Sequence, residues 1–460
     1  MPQRLLLVLS MAAIAVGGCG PSPAEGGASD ALVLRGATLI DGTGAPPLAD
    51  AVVVVDDGRI VAAGPAGRVE VPAGARVEDL SGRFLLPGLI DVHAHALVPT
   101  CDGRGFDAAL SERLVAALLR FGVTTARSPA TPTDLGVALR DRIAAGTIPG
   151  PRLVVAGELI DDPQMSPEAV REEVRAQAEA RVDAVKLYRR LSPEAVRAGI
   201  AAAHAHGLPA IGHLQRTSWT EGLAAGIDQL THAAPWTEEM LAPADRAAYR
   251  QAQARRGPMR ARIDWLEALA PDGPEVGAVV DAVVRQRVPL DPTLVAFDTK
   301  FSTDGTRPVA RRYRDHPDRD AAHGLPALWD ACGTPTDDWT PADFRRARAA
   351  WPTLLALVRR YHHAGVRLTA GSDTPNAWVI PGASLHRELE LLVDAGIPPG
   401  DVLQIATRNG ADALGLLDEV GTVEVGKSAD LLVLTADPLA DISNSRRIAW
   451  VMRGGERVDR

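Results

Sequence analysis

The sequence predicts an α/β protein: a (β/α)8 TIM barrel with a small β-sandwich domain built from both chain ends. Three observations carry this. Short apolar segments alternate with helical ones between Gly88 and Leu416; strand-like segments separated by turns occupy both flanks; and residues with metal-ligand chemistry fall at the ends of the apolar segments. The 460 residues accommodate a barrel of about 250 residues with insertions and a small second domain. The composition is 46% hydrophobic and 23% charged with a formal net charge of -9, which excludes a nucleic-acid partner as the default reading and leaves a small-molecule substrate.

Residues 1–19 read as a lipoprotein signal peptide. Arg4 precedes an apolar run, Leu5 to Val16, too short to span a bilayer and closed by Gly17-Gly18-Cys19. Cys19 is then a modified residue carrying a lipid anchor, and residues 20–30, rich in Ser, Pro, Gly and Ala, form a flexible tether. The expectation is an exported protein, anchored to the bacterial cell envelope at the outer membrane facing the periplasm, with no other membrane contact. The competing reading is an ordinary secretory signal with a chance cysteine. Export places Cys101 and Cys332 in an oxidising compartment, where they form either a bridge pinning a lid or two unpaired buried thiols.

Residues 31–87 read as short strands (Leu32 to Leu34, Thr38 to Ile40, Ala51 to Val55, Arg59 to Ala62) with Asp56-Asp57-Gly58 as a hairpin signal. The same character returns in 417–460, at Gly421 to Val423, Leu431 to Leu434 and Ile448 to Met452, so the two ends make one composite domain. The barrel, 88–416, has strands expected at Leu89 to His93, Thr124 to Arg127, Leu153 to Ala156, Ala184 to Leu187, Ala210 to His213, Gln229 to His232, Leu290 to Val295 and Arg367 to Ala370. Ser166-Pro167 and Ser192-Pro193 start helices, each pairing an N-cap serine with proline at the first helical position. Residues 236–289 and 297–351 are too long for ordinary loops and are lid candidates; the first has a helical pattern from Pro243 to Leu269, the second no clear period.

In such barrels the working residues sit at the carboxyl ends of the strands. His93 and His95, two apart on an extended chain, project to one side and make half a metal site. His204 and His206 show the same spacing in the last turn of a helix, where they read as structural. Lys186 is one of three lysines among 49 basic residues, and it lies in an apolar strand. A charge there is costly unless paired or neutralised. A neutral amine can react with CO2 to give a carbamate able to bridge two metals; pairing with a carboxylate is the alternative. His213 and His232 close adjacent strands, and Asp373 ends the strand neighbouring the first. Tyr188, two residues beyond Lys186, is a candidate substrate contact. His386, Arg387, Met165, Trp219 and Trp236 are weaker candidates, with capping, surface pairing or core packing as the alternatives.

Leu86 to His95, Gly371 to Pro375 and Gly421 to Asp430 together resemble the amidohydrolase superfamily, in its imidazolonepropionase-like and prolidase-like branch. The resemblance covers nearly everything from Gly36 onward. It implies two divalent metal ions, most readily zinc: one held by His93, His95 and Asp373, the other by His213 and His232, with carboxylated Lys186 between them. It implies hydrolysis of an amide or peptide C–N bond, as in a dipeptidase, with Asp373 as catalytic general base and then acid. A hydrolase of cyclic amides, lactones, carbamates or organophosphates is the alternative, a non-catalytic binding protein the remoter one, and a homo-oligomer is left open. Imidazolonepropionase itself lacks the bridging lysine, so Lys186 argues against that activity. Thr231 replaces the usual acidic residue, and Arg127-Ser128 the more usual Arg-Asp, which leaves the tuning of the site open.

Overall fold

The computed structural model describes residues 30–302, 324–333 and 335–458. The expected signal segment, Cys19 and nearly all of the tether lie outside the described residues.

Strands from both ends join one eight-stranded sheet. Leu32–Leu39 pairs antiparallel with Leu48–Asp56, which turns back into Arg59–Pro65. The turn residues Asp57 and Gly58 have φ of 44° and 72°, the left-handed conformations a tight hairpin demands. Phe84–Pro87 then runs parallel to the first strand and antiparallel to Leu431–Leu434. That strand stitches the two ends together. The pairing therefore gives one continuous sheet built from both chain ends. Side chains alternate across it: Leu34, Val53, Val433 and Trp450 share one apolar cluster, whereas Leu432, Ile448 and Val451 pack into the main core.

The central region has a TIM-barrel-like α/β fold. Leu89–Asp91, Val123–Ser128 and Arg152–Val155 form one parallel sheet, and Val185–Leu187, Ala210–Gly212, Gln229–Thr231 and Leu290–Asp291 another. Two isolated bridges, Ala156 to Ala184 and Ile160 to Leu187, link them. The first, fourth, fifth and sixth of these are three residues long, so their side chains barely leave the barrel before the chain enters the loops.

Two strands differ from expectation. The segment Arg367 to Ala370 forms one isolated bridge, Leu290 with Leu368, in which Leu290 N–H donates to Arg367 O and Thr369 N–H to Leu290 O at 3.0 Å each, plus Val92 N–H donating to Ala370 O at 2.9 Å; just beyond it Thr374 bridges Ala94. Its chain bends at Asp373, φ 60°. The seventh strand stops at Asp291 because Pro292 has no N–H and Thr293 is left-handed, φ 48°. Leu294–Ser302 is instead a helix, and the two oxygens of the buried Glu388 carboxyl group accept from its Leu294 and Val295 N–H groups at 3.0 and 2.7 Å.

Ser166 and Ser192 cap Pro167–Glu179 and Pro193–Ala205 as expected. The first insertion is the helix Pro243–Ala268, broken at Gly257 (φ 76°) and restarted by Pro258, followed by Pro274–Gln286. The second, where described, is also helical: Leu325–Cys332, then Pro341–Ala364 behind a Thr340–Asp343 capping box. Cys101 and Cys332 form a disulfide across 231 residues, settling the pairing left open by the sequence. The bridge holds Leu325–Cys332 so that Trp329 Nε1 donates to Pro375 O at 3.0 Å, beside Asp373.

Candidate metal centre

His93, His95, Lys186, His213, His232 and Asp373 line one cavity of about 270 Å³. Short strands make this convergence possible: Lys186 lies within one, His93, His95, His213 and His232 follow the ends of three others, and Asp373 follows the segment bridged at Leu368. His232 and Asp373 have φ of 70° and 60°. Left-handed non-glycine residues cost on the order of 1–3 kcal/mol each and persist where surrounding structure over-determines them. The backbone here is bent to aim these side chains inward.

His93 Nδ1 lies 2.5 Å from Asp291 Oδ2, leaving Nε2 facing Asp373 Oδ1 at 3.5 Å. His95 Nδ1 meets Ala130 O at 3.3 Å, and its Nε2 faces the same Asp373 oxygen at 3.3 Å. His232 Nδ1 is 2.7 Å from Thr293 Oγ1, and its Nε2 faces His213 Nδ1 at 3.0 Å. Two ring nitrogens so close need a shared proton or a cation. His213 Nε2 is buried with no hydrogen-bond partner. Burial holds His93, His213 and His232 well below the usual imidazole pKa, so each is neutral and keeps a lone pair. His93, His232 and Asp373 offer ligand atoms within 4.8 Å of one another. The donor set of neutral imidazoles and a carboxylate fits a divalent metal ion.

Lys186 is buried, and its Nζ donates to Thr231 Oγ1 at 3.2 Å. Among the described residues it forms no ion pair, contrary to the pairing alternative. Burial pushes its amine down to about 7, Asp291 and Asp373 oppose that, and the Arg127 guanidinium adds to it. A largely desolvated amine with a substantial neutral fraction results. Asp373 is raised by burial but brought below its ordinary value by His93, the His95 hydrogen bond and His232. Asp91 accepts from His93 N at 3.0 Å and from Ser372 N and Oγ at 3.0 and 2.6 Å, tying the two loops that carry ligand candidates. Gly371 is needed for close approach, since a Cβ there would lie 2.7 Å from His93 Cβ.

Tyr188 lines the cavity, edge-on to His213 at 4.6 Å between ring centroids. The weaker candidates fall elsewhere. His386 is buried between Ser445 Oγ and Phe121 O, and Arg387 pairs with Asp298 and Glu390. Trp219 and Met165 pack in the core. Trp236 packs edge-on against Trp265 and tilted against Phe297 and lines a neighbouring cavity. His204 pairs with Asp228 at the surface, as the structural reading of that pair required.

Asp291, Arg127, Arg262 and Lys300 were not anticipated. Asp291 had a legible signal, a carboxylate closing the apolar strand before Pro292. Arg127 is buried, with Nη1 donating to Gln229 Oε1. Arg262 and Lys300 arrive from insertions, and no strand-end rule points to them.

An amidohydrolase family model matches residues 84–251 and 344–458. The chain belongs to the amidohydrolase family, in its imidazolonepropionase- and prolidase-like branch. It is accordingly a metal-dependent hydrolase acting on carbon–nitrogen bonds. An imidazolonepropionase from Rhizorhabdus wittichii is 27% identical over 87% of this chain and 92% of its own. A solved Bifidobacterium longum protein, proposed to be a prolidase, is 26% identical with TM-score 0.68 over 94% of this chain and 96% of that one. A Xaa-Pro dipeptidase with bound methionine in its active site shares the fold at 19% identity, TM-score 0.67, covering 93% and 100%.

Proposed function

We propose that this chain is a binuclear hydrolase cleaving an amide or peptide C–N bond, dipeptidase-like in its choice of substrate. The observation that supports it best is the convergence of five ligand-type side chains and one desolvated lysine on a single cavity. His93, His95 and Asp373 would hold one ion and His213 and His232 the other, most readily zinc, with Lys186 carboxylated by CO2 and shared between them. Bound ions supply Lewis acidity, polarising the scissile carbonyl and acidifying water. Asp373 receives the proton of the attacking water on its carboxylate and returns it to the leaving nitrogen. His93 is oriented for its part by Asp291, and His232 by Thr293. Tyr188 orients the substrate at the cavity wall.

The same reading takes the eight strand segments as a closed barrel, 88–416, and the terminal sheet, 31–87 with 417–460, as folded over into a sandwich around the cluster that contains Leu34 and Val433. It also places the protein at the outer membrane facing the periplasm, anchored through Cys19 after removal of the residues that precede it; the Cys101–Cys332 bridge supports an oxidising compartment. Metal-loaded protein should hydrolyse members of a dipeptide and N-acyl amino acid panel, and Asp373→Asn should abolish turnover. Undiminished turnover by Asp373→Asn would remove the proposed proton carrier.

A further inference from the structure

The cavity lining contributed by residues beyond the strands includes cations. Arg262 comes from the first insertion and Lys300 from the helix that follows the seventh strand, and both line the cavity with Phe297. Arg262 is buried, 7% exposed, and Lys300 is half-buried. Their charges share one aromatic support: Arg262 Cζ sits 5.7 Å and Lys300 Nζ 5.6 Å from the Phe297 ring centroid. That ring is in turn 6.2 Å from the His232 ring, so the cations stand about one side chain from the metal-ligand candidates. Among the described residues neither cation forms an ion pair. The polar contact found for Arg262 is with Met259 Sδ at 3.5 Å, supplemented by the Trp236 ring at 5.1 Å.

Two cations held together in a largely apolar wall repel each other and lose hydration, which is costly without a counter-charge. Burial lowers Lys300 to about 8, with Arg262 adding to that and Asp373 opposing it, and burial lowers Arg262 to about 10, with Arg189 adding to that and Tyr188, Tyr249 and Asp373 opposing it. Asp373 is the carboxylate in the cavity lining, and it faces His93 and His95. An anion entering from solvent satisfies what the fold leaves open. Arg offers a planar fork for a carboxylate and Lys a point charge beside it.

We propose that Arg262 and Lys300 form an anion subsite that restricts the substrate to C–N compounds carrying a free carboxylate near the scissile bond. This rests on the hydrolytic reading above for where the reacting bond sits. It sets neutral lactones and organophosphate triesters outside the preferred substrates.

The test uses metal-loaded full chain and paired probes: glycyl dipeptides and N-acetyl-L-amino acids with side chains from alanine to tryptophan, each beside its C-terminal carboxamide. Hydrolysis and calorimetric binding are measured for wild type, Arg262→Met, Lys300→Met and the double variant, with Arg262→Lys to restore charge. The expected result is a carboxylate preference on the order of 100-fold. It falls to a few-fold in the double variant and partly returns with Arg262→Lys, while the carboxamides change little. Equal losses on acids and amides, or acids that are neither bound nor cleaved better than amides anywhere in the panel, would overturn the subsite. Acids bound preferentially but never cleaved would keep the subsite and sink the hydrolytic reading; cleavage without carboxylate preference would do the reverse.

Discussion

Replacing Asp291 by asparagine keeps the shape of the buried side chain and removes its charge. The carboxylate lies 2.5 Å from His93 Nδ1, where it fixes the ring proton on Nδ1 and leaves the Nε2 lone pair for a metal. An amide either accepts that proton more weakly or turns its NH2 toward the ring, which moves the proton to Nε2 and blocks the ligand. Carboxylates behind metal-binding imidazoles are worth roughly 10–100-fold in metal affinity or activity, about 1.4–2.7 kcal/mol at 1.36 per decade. The upper end is expected here, because Asp291 is fully buried and no water can substitute. A chelator-competition titration reads the affinity, and an unfolding curve in parallel shows whether the fold has survived. Metal affinity within about twofold of wild type in a folded Asp291→Asn protein would refute the orienting role and the reasoning behind it.

Other consequences can be checked independently. Gly371→Ala puts a Cβ 2.7 Å from His93 Cβ, an overpacking of about 1–3 kcal/mol that should displace the ring and weaken metal binding at least tenfold, read by the same titration. Glu388 is pushed up to about 8 by burial. Because its folded pKa exceeds the unfolded value of about 4.3, folded protein binds the extra proton between those pH values, so stability from this group falls as pH rises from about 4 to 8. Glu388→Gln should cost about 1–3 kcal/mol at pH 5 yet flatten that decline in thermal unfolding, and an unchanged slope would contradict it. Cys101→Ser with Cys332→Ser opens a 231-residue loop. On chain entropy alone this loses up to about 5 kcal/mol, which a lowered melting temperature, matched by reductant on wild type, would show.

The metal-ligand candidates were legible because their pattern is local and bound to strand ends: His93-Ala94-His95 on one extended segment, a lysine inside an apolar strand, histidines closing two adjacent ones. The hairpin at Asp57-Gly58 and the caps at Ser166 and Ser192 were legible for the same reason, each needing only a few neighbouring residues. What was missed depends on distant parts of the chain. Asp291 looks like any carboxylate before a proline until the fold sets it against His93, 198 residues away. Arg262 sits in an Arg/Ala-rich helix whose pattern gives no face to the cavity, and Gly257 with Pro258 decides where that helix breaks. The regular eighth strand was overestimated, since the bend that aims Asp373 inward takes the chain out of ladder pairing. The composite domain of the two chain ends was legible, but the strand that joins them, Phe84–Pro87, pairs with both, which strand propensity cannot reveal.

The central claim is that two ions share this cavity through Lys186. Counting divalent ions in full chain purified without chelator, by elemental mass spectrometry, tests it most directly. The account predicts about two ions per chain for wild type and a clear loss in Lys186→Ala, with CO2-dependent recovery of metal in wild-type protein reloaded after chelation. Wild type holding a single ion per chain, with Lys186→Ala holding as much, would contradict it.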